Sequence, residues 1–85
     1  MPSFALSDVH LALLMRCHLR KIGATLTIDA PSQEIVDALM ELRHEWIAAD
    51  SPCHLFYLYV NGKLLNGFSV RGTTVRILSI GTADP

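Results

Sequence analysis

The chain has 85 residues, 51% of them apolar and only 18% charged, with seven Lys/Arg against eight Asp/Glu for a net charge of −1. That length suits a single domain over 1-85 with a modest core, and the near-neutral balance lacks the basic footprint of a protein that lives on phosphate backbones. Apolar content above the usual about 45–50%, with charge below the usual about 25%, leaves apolar area with nowhere inside to go, and self-association is one remedy.

Cys17 and Cys53 form no Cys-x-x-Cys pair and are too few for a disulfide scaffold. They read as ordinary thiols of a reducing compartment. Asp8 precedes the apolar run Val9–Met15 and His10 interrupts it, so the N-terminus does not resemble a secretory signal. No apolar run approaches the ~20 residues of a membrane span. The expectation is a cytoplasmic, soluble protein with no membrane partner.

In chain order, Ser7 is a suitable N-cap, with Asp8 in the first turn and Leu6 placed to staple onto Leu11. The pattern predicts a first helix from Asp8 to about Lys21, with Gly23 as its C′ residue. Leu11, Met15, Leu19 and Ile22 form one stripe, but Val9, Leu13, Leu14 and Cys17 fall on other sides, as in a helix buried on more than one side. Ala24–Asp29 alternates like a half-buried strand.

Pro31 and Ser32 open a second helix predicted to end near Ala49, with Ile35, Val36, Leu39, Met40, Leu42, Trp46 and Ile47 on one face. Arg43 falls within that apolar arc and must reach an edge or a partner. Cys53–Val60, Lys63–Val70 and Thr73–Ile80 then read as a three-stranded meander turned at Asn61-Gly62 and Arg71-Gly72. Asn-Gly between apolar runs is the strongest short hairpin signal, because a type I′ turn needs positive φ at both central residues. The predicted fold is α+β in the order α-β-α-β-β-β: two helices and a four-stranded sheet, with a βαβ-like unit over 24–60.

Two-residue turns give a register and hence two faces for the meander. Cys53, Leu55, Tyr57, Tyr59, Leu64, Asn66, Phe68, Val70, Val75 and Ile77 make the more apolar face, the expected core. The other face gathers Phe56, Leu58, Leu65 and Leu78 into an apolar patch rimmed by His54, Lys63 and Arg76. Either the first helix covers this patch or it is exposed and marks an interface. With Leu13 and Leu14 of the first helix, those seven residues are the candidate interaction surface.

Few residues carry a chemical signal. His10, His18, His44, His54, Cys17 and Cys53 show none of the short ligand spacings of a zinc site, and neighbours such as Cys53 and His54 diverge on a strand. A Cys53–histidine nucleophile has no support in the spacing. Glu34, Asp37, Glu41 and Glu45 stack along the second helix, repelling by a few tenths of a kcal/mol per pair. They form a solvated face or a docking surface for a basic partner such as Arg16, Arg20 and Lys21 of another copy. No cofactor, metal or enzymatic activity is expected, and the sequence leaves a small-molecule ligand open.

The leading expectation is therefore a small protein-binding or self-associating module, a homodimer in its simplest form. The alternatives are a single-stranded nucleic-acid accessory protein using Lys63, Arg71 and Arg76 beside Phe56, Tyr57 and Tyr59, and a thiol-dependent or small-molecule enzyme. A winged helix is a weaker fit, since the helix before the hairpin is acidic.

Overall fold

The computed structural model describes residues 6–47 and 53–78. Helix α1 (Asp8–Met15) is followed by strands β1 (His18–Ile22) and β2 (Thr25–Ala30), helix α2 (Gln33–Glu41), a 3-10 helix (Arg43–Ile47), and strands β3 (Leu55–Val60), β4 (Lys63–Arg71) and β5 (Thr74–Ile77). The fold is α+β, and the strands form a mixed sheet in the order β1-β2-β3-β4-β5. All neighbours are antiparallel except β2 and β3, which run parallel on either side of α2. The βαβ unit and the meander are present.

Among the described residues the sheet has five strands rather than four because the predicted first helix stops early. Arg16 and Cys17 tighten the last turn through backbone bonds to Leu13 and Leu14, and the Cys17 thiol donates to the Leu13 carbonyl at 3.3 Å. His18–Ile22 then turns back against β2. Gly23 does not cap a helix. It is the first central residue of a two-residue hairpin turn between Ile22 and Thr25, with φ +60° and no positive φ at Ala24, the sign pattern of a type II′ turn. Helix C′ positions and II′ turns both require a positive φ, so the same glycine signals either. The helix-forming content of His18-Leu-Arg-Lys-Ile22 yields to ladder pairing, a tertiary override of weak propensity.

Helix α1 buries His10 and Leu14, one turn apart, while Val9 and Met15 of the predicted all-round apolar surface stay exposed. Ser7 caps it as expected, its hydroxyl accepting from the His10 N–H at 3.2 Å. Ser32 caps α2 in the same way. The face of α2 predicted to be apolar is buried at Ile35, Val36, Leu39 and Met40, with Trp46 on the 3-10 helix continuing it. Arg43 resolves its conflict by donating to the Met40 carbonyl, one of the acceptors α2 leaves open at its end. Residues 48 and 49 of the predicted helix lie outside the described residues, as do 79 and 80 of the predicted last strand.

The 3-10 turn also breaks the acidic stripe. Glu34, Asp37 and Glu41 stay exposed, but Glu45 swings toward α1. It accepts from the Ser7 backbone N–H at 2.7 Å and lies 3.1 Å from His10 Nδ1. The Ser7 N–H, with a smaller contribution from His10, holds the Glu45 carboxyl below its ordinary value. His10 is fully buried and meets Trp46 edge-on with ring centroids 5.3 Å apart. Trp46 lies 4.6 Å from Phe56, and Phe56 stacks on Phe68 at 4.8 Å. This ring ladder runs from α1 through the 3-10 helix into the sheet.

Candidate functional site: the helix-free face of the sheet

Phe56 and Leu58 are completely buried, together with Ile28, Ala30, Phe68 and Val70. These strand residues form the core with Leu14, Ile35, Val36, Leu39 and Trp46, so both helices sit on one side of the sheet. The expected face assignment is thus reversed at β3: Phe56 and Leu58 are core, while Leu55, Tyr57 and Tyr59 point to the side that, among the described residues, carries no helix.

The cause is a β-bulge. Val60 opposes Lys63 and Tyr59 opposes Leu64, as the Asn61-Gly62 turn demands, but Leu58 opposes Asn66 and Leu65 is left over. Asn61 and Gly62 both have positive φ, so the turn itself is the predicted type I′. One extra residue in one strand moves every later residue to the other face. Phe68 and Val70 thereby join Phe56 and Leu58, gaining about 1.5–3 kcal/mol for each buried side chain.

The predicted patch is consequently divided. Phe56, Leu58 and Leu14 are core, with Leu13 and Leu65 packed against it. His54, Lys63 and Arg76 are exposed. Leu78 is half-buried, and its N–H donates to the Gly67 carbonyl at 2.9 Å. That bond extends the β4–β5 ladder by one residue and sets Leu78 on the helix-free side.

The ladder registers map that side, because residues directly opposite share a face. One row across the strands reads Ile22, Thr25, Leu55, Ser69, Arg76. The next reads Arg20, Thr27, Tyr57, Gly67. The third reads His18, Asp29, Tyr59, Leu64. Tyr57 and Tyr59, half-buried, occupy the middle of the sheet, and Arg20 and Arg76 stand exposed on opposite outer strands. Gly67 opposite Tyr57 adds no side chain, which leaves the sheet low beside the ring.

A recess of about 660 Å³ lies over β1, β2 and β3. His18, Leu19, Arg20 and Ile22 line its outer side, with Thr27, Asp29 and Tyr59 on the inner side. Leu19 belongs to the helix side of the sheet, since it opposes Ile28. Its place in the lining means that the recess wraps over the outer edge of β1.

Charge is divided between the two layers. Of the seven Lys/Arg, Arg20, Lys21, Lys63, Arg71 and Arg76 are on strands, which among the described residues hold one acid, Asp29. The helices carry Asp8, Glu34, Asp37, Glu41 and Glu45, against Arg43 and the α1 C-cap Arg16. A net charge of −1 conceals this segregation. It was available only from knowing which residues are strand, β1 above all.

Cys53 is buried in the core, while His18, His44 and His54 are exposed. Cys17 is half-buried, and burial pushes its thiol pKa up, away from the reactive thiolate. Among the described residues no three His, Cys, Asp or Glu side chains converge as metal ligands, and no helix is long and apolar enough to cross a membrane. No family model matches the chain, and comparisons with curated proteins and with solved structures find no match.

Proposed function

We propose that the protein is a protein-binding module whose working surface is the helix-free sheet face, and that it takes an acidic polypeptide surface. The observation that carries this reading is the segregation of charge. Among the described residues Arg20, Arg71 and Arg76 stand on the helix-free face with one acid, Asp29, while Lys21 and Lys63 face the helix side and the helices carry five acids and two cations. An apolar and aromatic centre (Leu55, Tyr57, Tyr59, Leu64) ringed by Arg20, Arg71 and Arg76 has the composition of an interface rather than of a solvated sheet. The acidic helical layer of another copy, with Glu34, Asp37 and Glu41 exposed, is itself such a surface. Basic face to acidic back is a heterologous contact, which gives rings or open chains rather than a two-fold dimer.

Titration of isotope-labelled protein with an oligoglutamate peptide tests the reading by NMR. Amides of β1, Tyr57 and Tyr59 should shift at low salt and recover at high salt. The double variant Arg20→Glu/Arg76→Glu should not respond. Shifts confined to the helices, or none at any salt, overturn the proposal. Sedimentation velocity at low and high salt reports whether another copy serves as the partner.

A second reading has its own support. Tyr57 and Tyr59 lie on the helix-free side, in rows with Arg20 and His18, as stacking platforms for single-stranded nucleic acid do. Oligothymidylate in the same titration distinguishes the two. On this reading it binds more tightly than oligoglutamate and loses affinity in Tyr57→Ala.

A further inference from the structure

We infer that β1 is an acceptor edge, to which an extended acidic polypeptide segment adds as a further strand. This deepens the preceding reading and rests on it, by giving the acidic partner a shape and a seat.

Among the described residues β1 is the outermost strand on its side of the sheet, and all of its residues are exposed. Ile22 and Thr25 flank a two-residue turn, so they are a hydrogen-bonded pair, and alternation gives Arg20 and His18 the same role toward β2. The N–H and C=O groups of Leu19 and Lys21 therefore point outward, at the spacing an added strand uses.

Side chains along the edge specify what would pair there. Leu19 and Ile22 are 49% and 63% exposed, and Met15, just before the strand, is 86% exposed. Arg20 faces the helix-free side and Lys21 the other, with no acid on β1 itself. A neutral or basic strand meets these cations unfavourably, which is the usual protection of a sheet edge. A strand with an acid opposite Arg20 or Lys21 and an apolar residue opposite Leu19 escapes that protection. The recess over the β1 edge would receive the side chains that such a strand presents on the helix-free side. Another copy's β1 is a poor occupant, because antiparallel pairing centred on Arg20 sets like charges directly opposite.

The test uses the full chain and a short synthetic peptide of alternating glutamate and valine. Two further versions are N-methylated on one or the other alternate set of residues. The unmodified peptide should slow hydrogen exchange at the Leu19 and Lys21 amides. One N-methylated version should bind at least about tenfold more weakly, about 1.4 kcal/mol. If both methylated versions bind like the parent, or Leu19 and Lys21 exchange as fast with peptide as without, strand addition is overturned. Peptide-induced shifts at Tyr57 and Arg76 would in that case leave the sheet-face reading standing. No binding of any peptide overturns both. Displacement of the peptide by oligothymidylate of matched charge at equal concentration shows a general polyanion surface and also overturns strand addition.

Discussion

The two faces of the sheet are built from the same strands, often from adjacent residues, and differ in almost every respect. Phe56 is fully buried between Trp46 and Phe68, while Tyr57, the next residue, stands half-buried on a side without a helix. The helix-covered face is apolar at its centre, from Ile28 to Val70, with Lys21, Lys63 and Asn66 around it. The other is mixed, with tyrosines and leucines at the centre and arginines toward the outside. Burial has selected the first face for packing. The second is under no such demand from the packing of the chain, and it is the face for which binding is proposed.

The sharpest way to break this contrast is to slip the register once more. One residue inserted after Leu65, with the turn and the single bulge kept, places Phe68 opposite Leu55 and sends Phe68 and Val70 to the helix-free side. The expected result is a chain that does not fold cooperatively, with loss of near-ultraviolet circular dichroism and of a thermal transition. Deleting Leu65, by contrast, keeps Phe68 opposite Phe56 and should leave a transition. A native-like transition in the insertion variant would show that the register does not decide the faces.

A smaller but graded effect comes from neighbouring truncations. Phe56→Ala should cost about 3–5 kcal/mol in a urea titration, a large part of the total for a domain this size. Tyr57→Ala should cost about 1 kcal/mol. Equal losses would mean that the helix-free face is packed as a core.

The Glu45 contacts with Ser7 and His10 give a pH-dependent difference between wild type and Glu45→Gln. The folded-state value of Glu45 is depressed from its ordinary 4.5, so its contribution is fully present above that value and is lost as pH falls through the folded-state value. Stability against pH for the two proteins should therefore separate at neutral pH and converge in acid. Parallel curves would remove the carboxylate from the docking of α1.

Least of all, Arg76→Ala should change stability by no more than about 0.5 kcal/mol in the same urea titration, since its side chain is exposed. A larger loss would make Arg76 part of the packing rather than of a surface.

Local signals were legible where one short segment carried the whole physical cause. Ser7 and Ser32 cap their helices, Asn61-Gly62 forms its turn, and the apolar face of α2 is the buried one, because each depends on residues within a few positions. Of the candidate surface, His54, Lys63 and Arg76 are exposed, but the apolar members except Leu78 belong to the core or pack against it. Two things were not legible. His18–Ile22 has neither a clean helical nor a clean alternating pattern and is a strand only because β2 offers it a ladder. The extra residue at Leu65 leaves no local mark.

The sequence by itself therefore determined the α+β class, the caps, the βαβ unit and the Asn61-Gly62 turn. Only the tertiary structure decided which face of the meander is inside. A strand's residues alternate whatever its neighbours do, but the choice between Phe56 and Tyr57 rests on whether Phe68 can be brought to the same side. One unpaired residue between β3 and β4 made that possible.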